Sequence, residues 1–177
     1  MTRYHPLLVA LHWLVAVLVI IALVFGTLRL TEMSNDDPEK LFALRAHMSI
    51  GITVLVLMSI RLIVRVFTAT PPHATTGNAL ADRVGVATHW LLYGLVLAMA
   101  GSGLATANAA GLPGIVFGGS GAPLPDDFGI YTPRLVHGTI ATLLGLFVLL
   151  HIAAALFHQF VRKDGLFSRM WFGPREG

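Results

Sequence analysis

Four long apolar stretches, at 6–28, 44–67, 84–106 and 135–160, interrupt this chain. Each approaches the roughly 20 residues with which an α-helix crosses a hydrocarbon core about 30 Å thick. Lipid offers no water to satisfy backbone polar groups, so only helices and closed barrels span it. The alternating segments of about ten residues that build a barrel are missing. With 55% hydrophobic and only 12% charged residues, and a mean hydropathy of +0.75, the composition lies outside the soluble range. The expected fold is therefore an all-α membrane protein, a four-transmembrane-helix bundle forming a single domain over residues 1–177. The first stretch is longer than the apolar core of a secretory signal and no A-x-A site follows it, so it reads as a retained helix.

Lysine and arginine set the expected orientation. With four spans, both termini and the middle loop share one side. That side carries Arg3, Arg61, Arg65, Arg83, Arg162, Lys163, Arg169 and Arg175. The other side has Arg29, Lys40, Arg45 and Arg134 against six acids, Glu32, Asp36, Asp37, Glu39, Asp126 and Asp127, a net of about −2. The positive-inside rule then puts both termini in the cytoplasm of a bacterial inner membrane. This bias accounts for the high isoelectric point without nucleic-acid binding. Of the loops, 31–40 is short and polar, and 70–82 holds Pro71 and Pro72 and reads as irregular. The glycine- and proline-rich segment 108–133 is long enough to fold as a cap over the periplasmic end.

Ionisable side chains inside a span are costly, and they mark candidate functional sites. His137 and His151 are fourteen residues apart in the fourth stretch, nearly four helical turns, so they share a face at levels about 21 Å apart. His12, toward the cytoplasmic side of the first stretch, matches the depth of His151. His47, near the periplasmic end of the second, matches His137. Depth therefore pairs His12 with His151 and His47 with His137, the fourth helix contributing to both pairs. Haem suits two stacked imidazole pairs, since histidine is a standard axial ligand. The chain has no cysteine. That excludes disulfides, thiolate metal sites and the covalent C-x-x-C-H attachment, leaving b-type haem.

Three alternatives stand beside this reading. A lone membrane histidine often only bonds a neighbouring helix. Imidazoles also bind transition metals, although a transporter would add carboxylates and the four stretches contain no Asp or Glu. His89 lies at nearly the depth of His12 and could replace it. Arg61 and Arg65 share the His47 face toward the cytoplasm, where an arginine either snorkels to headgroups or pairs with a haem propionate or an anionic quinone. Arg45, Arg134 and Lys40 stand ready for propionates or an incoming anion at the other end. His158 is nearer the interface, a candidate for a propionate or for proton delivery to a quinone, while His5 and His73 read as surface residues. Gly51, Gly138 and Gly145 lie beside the histidine stripes and admit a flat macrocycle or a neighbouring backbone.

A weak internal repeat runs through these positions. His12-Trp13-Leu14 and His89-Trp90-Leu91 open the first and third helices, and His47 and His137 the second and fourth. Each of the latter closely follows an arginine, Arg45 or Arg134. Fourteen residues further on stand Arg61 and His151.

At these residues the chain resembles the bacterial cytochrome b561 family, one of the four-helix di-haem membrane cytochromes. The likeness rests on RYHPLLVALHWLVA, AHMSIGITVLVLMSIRLIVR, THWLLYGLVL, VHGTIATLLGLFVLLHIAAALFHQF and KDGLFSRM in that order. It implies two b haems ligated by His12, His47, His137 and His151, and electron exchange with ubiquinone. One member type oxidises superoxide at the periplasmic face, so the likeness extends to a superoxide:ubiquinone oxidoreductase. Competing readings are the cytochrome b subunit of a hydrogenase or formate dehydrogenase, a histidine-based metal transporter and a membrane scaffold. No large extramembrane extension offers a docking surface for a protein partner, and the sequence names none.

The charge distribution predicts that a cysteine at Asn35 is labelled by an impermeant thiol reagent on spheroplasts, whereas one at Thr2 is protected. The reverse pattern would invert the topology.

Overall fold

α1 (Pro6–Phe25) starts at a proline, which has no amide hydrogen to leave unpaired, behind His5, whose Nδ1 accepts from the Leu7 amide at 3.3 Å. It runs on through a wider π-helical turn, Gly26–Leu30, closed by the Thr31 amide on the Gly26 carbonyl. α2 (Lys40–Phe67) follows a short turn. α3 (Ala79–Ala109) is capped by Asn78, whose side chain accepts from the Leu80 and Ala81 amides. α4 (Thr132–Leu156) carries Pro133 in its first turn and unwinds into a π-helical segment, Phe157–Arg162. This computed structural model describes residues 3–72 and 77–173, in which there are helices and turns but no strand. His73, Arg175 and Thr2 lie outside the described residues.

The helices run further than the apolar stretches. The four continuous spans are Pro6–Leu30, Lys40–Phe67, Ala79–Ala109 and Thr132–Arg162. At about 1.5 Å per residue, the 31-residue spans exceed the hydrocarbon thickness and project beyond it. The extra turns hold charges that find partners: the buried Lys40 donates from Nζ to the Leu30 and Met33 carbonyls, both at 2.8 Å. Lys40 is thus taken up closing the α1–α2 turn, and is not the free anion-attracting cation expected from sequence.

Large apolar side chains cover the outside of the bundle, with Phe67 83% and Leu28 70% exposed, as a lipid-facing surface requires. Hydroxyls in the spans are satisfied within their own helix: Thr53, Thr106 and Thr142 donate to the carbonyls four residues back. The first and last described residues lie at one end, where the Arg3 guanidinium donates to the Trp171 and Phe172 carbonyls.

At the opposite end, 108–133 folds inward. It contains a π-helical turn, Pro113–Phe117, and a 3-10 turn, Phe128–Ile130. Val116 is fully buried, packed in one cluster with Leu44, Ala107, Ala110 and Leu112. Arg45 grips the Val116 carbonyl with Nε at 3.0 Å and Nη2 at 2.7 Å. Asn35 clips the α1–α2 turn to the Pro125 and Asp126 carbonyls. A cysteine at Asp36 therefore reports on the same loop without cutting that clip.

Replacing Lys40 with methionine keeps the apolar stem but strands two carbonyls. Unpaired buried acceptors cost about 1–3 kcal/mol, so Lys40→Met should lower the thermal unfolding midpoint of the purified protein. An unchanged midpoint would show that water replaces the ammonium.

Candidate cofactor site

Three layers of side chains cross the bundle at seven-residue intervals. Nearest the termini stand His12, Arg61, His89 and His151. Seven residues along each helix come Val19, Val54, Val96 and Leu144, and seven further Gly26, His47, Gly103 and His137. Seven residues are close to two full turns, so each helix keeps one face toward the axis and successive layers lie about 10.5 Å apart. The middle layer belongs to the main core, with Val19, Val54 and Val96 each 6% exposed and Leu144 1%.

In the layer far from the termini, His47 on α2 and His137 on α4 face each other with ring centroids 6.2 Å apart. Each imidazole is seated against a glycine of the neighbouring helix. A Cβ on Gly26 would lie 3.0 Å from Cε1 of His47, and one on Gly103 would lie 2.9 Å from Cε1 of His137. A larger residue at Gly103 would require the His137 ring to shift, and one at Gly26 would crowd His47. The sequence reading missed both glycines, although their fourteen-residue spacing from His12 and His89 is visible in the repeat. His137 donates from Nδ1 toward the Met99 carbonyl at 3.1 Å, with Ser102 Oγ also at 3.1 Å. That bond fixes a tautomer in which Nε2 keeps its lone pair, as metal-binding imidazoles require. Nδ1 of His47 is buried with no hydrogen-bond partner.

In the layer near the termini, His12 and His151 are again 6.2 Å apart. His89 is closer to His151, at 5.4 Å. Its Nδ1 lies 2.6 Å from the Gly85 carbonyl of its own helix and its side chain is exposed. Arg61, the counterpart of His151 in the repeat, donates from Nη1 to the Tyr93 hydroxyl and lies 4.8 Å from that ring's centroid. Its Nε is buried without a partner. Arg65 stacks on Trp90 and Tyr93.

Of the remaining expected residues, Arg45 holds the Val116 carbonyl with two of its donors. Arg134 lies at the start of α4 with Nη1 3.1 Å from a Cβ placed on Gly138. His158 bonds Asp164 at 2.6 Å, and Arg162 is 3.6 Å from the same carboxylate. Desolvation, the largest single influence, pushes the Asp164 carboxyl up, yet the His158 hydrogen bond, the Leu166 amide and the charges of His158 and Arg162 together hold it below the ordinary carboxylate range.

The donor set can be tested against a bound group. Imidazole–metal bonds are about 2 Å, so centroids 6.2 Å apart leave room for one metal atom between two rings. Among the described residues no three His, Asp or Glu side chains are grouped to hold a metal ion alone. Two facing imidazoles would leave most of a metal's coordination positions to be supplied from elsewhere, as a haem macrocycle would do. Gly51 and Gly145, half-buried beside the histidine stripes, have nothing within 4 Å of an added Cβ, which suits the approach of such a ring. The residues present fit a haem at each pair.

Comparison with known proteins identifies a family. The family model for prokaryotic cytochrome b561 matches residues 3–173. The chain is 30% identical to "Probable superoxide oxidase CybB" of Yersinia pestis over 95% of both chains. It is 32% identical to "Cytochrome b561 homolog 2" of Escherichia coli K12, over 95% of this chain and 90% of that one. With "Cytochrome b562" of Cereibacter sphaeroides it shares 29% over 94% of each.

Gly103→Ala should displace His137 and cost about 1–3 kcal/mol through overpacking, more than the gain of up to about 1 kcal/mol that alanine brings to a helix interior. Thermal unfolding reads the balance. A stabilised variant would mean that the ring has room to retreat.

Proposed function

Since this chain belongs to the prokaryotic cytochrome b561 family, and is thus a bacterial multi-pass membrane b-type cytochrome of electron transfer, we propose that it binds two b haems and links a periplasmic donor to ubiquinone. The observation that carries this reading is the recurrence of one imidazole geometry, 6.2 Å between centroids, in two layers of the bundle. His47 and His137 would hold one haem, and His12 and His151 the other. The haems, when bound, supply one-electron transfer at two depths of the membrane.

The chain's own residues do the rest. The helices keep both pairs away from bulk water, and the glycine seats hold the outer imidazoles on the axis. The Met99 carbonyl sets the His137 tautomer. Arg61, paired with a phenol and no carboxylate, keeps its charge available for a propionate or an anionic quinone near the termini. With both termini in the cytoplasm of an inner membrane, as the basic residues direct, 108–133 caps the periplasmic end.

Superoxide is the favoured donor, supported by the name of the Yersinia relative. The cap's acids outnumber its bases, so attraction of an anion is local to Arg134 and to whatever donors Arg45 has left after holding Val116.

Haem quantification with reduced-minus-oxidised spectra tests the assignment. His137→Ala should lose one of two haems and spare the other, whereas His12→Ala, and not His89→Ala, should empty the site near the termini. Loss of that haem in His89→Ala, with full retention in His12→Ala, would reassign the ligand. Stopped-flow mixing with superoxide addresses the donor. Arg134→Gln should slow haem reduction several-fold and flatten its ionic-strength dependence, with reoxidation by ubiquinone unchanged. No reduction of the parent protein would exclude superoxide.

A further inference from the structure

Beyond α4 the chain turns sharply. Lys163 adopts a left-handed conformation (φ 53°) and Gly165 another (φ 73°), sending 163–172 back under the end of the bundle. There it is tied to three places. Arg3 donates to the Trp171 and Phe172 carbonyls, and the Tyr4 amide donates to the Arg169 carbonyl. Arg169 reaches the Pro72 carbonyl at 2.7 Å, beside the α2–α3 connection. The third tie is to the body of α1: the Trp13 indole N–H donates to the Met170 carbonyl at 2.8 Å. Its ring packs edge-on against Phe167 and Trp171, at 6.0 and 5.5 Å, and those two stack on each other. The Trp13 and His12 rings meet at 69° with centroids 5.4 Å apart.

Trp90, the counterpart of Trp13 in the repeat, makes a different set of contacts, packing on Tyr93 and under Arg65. The two His-Trp pairs have therefore diverged, and the indole locked to the strap is the one adjoining an imidazole pair. We propose that Trp13 is a positioning residue: through its bond to Met170 it locks segment 163–172 as a strap across the end of the bundle, holding the His12 ring and keeping water from the His12–His151 pair. The proposal rests on the assignment of a haem to that pair for its spectroscopic arm only.

The chain has no cysteine of its own, so a single thiol reports cleanly. Met170→Cys retains the accepting carbonyl and puts a half-buried probe in the strap. In haem-loaded purified protein, adding Trp13→Phe removes the N–H and keeps an aromatic ring. Losing one neutral hydrogen bond should speed thiol modification about five-fold. Arg3→Gln, which unties the strap without touching the interior of α1, should speed it as well, and Trp90→Phe should not. In Trp13→Phe without the probe, haem content should hold while one of two midpoint potentials falls, because water favours the charged oxidised state. Unchanged thiol reactivity overturns the lock. Faster reactivity with both potentials unmoved overturns the positioning role and leaves a purely structural strap. A parent without two b-type components counts against the proposed function, and thiol reactivity then decides the lock by itself.

Discussion

A polar ring in hydrocarbon has to find its partners on the protein, and the arrangement of this bundle follows from that requirement. The layers recur at seven-residue intervals and the polar ones at fourteen, so each helix keeps a single face toward the axis. Close approach comes next. His47 and His137 pack where Gly26 and Gly103 leave room for a ring; a Cβ there would come within 3.0 and 2.9 Å of the imidazoles. The cap and the end turns then attend to what the helices cannot close themselves, as when Lys40 satisfies the Leu30 carbonyl at the end of the π-helical turn and the Met33 carbonyl beyond it.

The two hairpins repeat each other layer by layer, and the informative position is where they differ. Arg61 stands where the second hairpin has His151. Had both hairpins carried histidine, four imidazoles would have crowded one layer. Arginine instead puts a permanent charge there, leaning on a phenol ring and hydroxyl. A charge so placed has little solvation of its own and favours whatever anionic group comes near. The substitution turns a symmetric scaffold into one with chemically distinct ends.

Much of this was legible in the sequence. The four spans follow from apolar length, and the facing of His12 with His151 and of His47 with His137 follows from counting turns, since helix rise is constant and loops only reverse direction. Other features depend on contacts that no periodicity encodes. Lys40 and Arg45 read as free cations because the carbonyls they hold belong to a turn and a loop whose shapes are set by packing. The strap was invisible for the same reason: its hold on Trp13 joins residues 157 positions apart. Gly26 and Gly103 are an intermediate case. Their spacing was in plain view, but a glycine in a membrane helix is too common to single out until the ring that needs it is seen.

The middle layer has an electrical consequence. Val19, Val54, Val96 and Leu144 form a tightly packed aliphatic septum between the two histidine layers, and none of the four carries a group that can pass a proton. A chain of hydrogen-bonded carriers is interrupted there. Under the proposed function, an electron passed from one layer to the other would cross this septum without a proton and would do work against, or draw work from, the membrane potential, up to about 2.3 kcal/mol per charge for each 100 mV spanned. The voltage dependence of such a transfer would then come from the displaced electron itself, with no charged residue serving as the sensor.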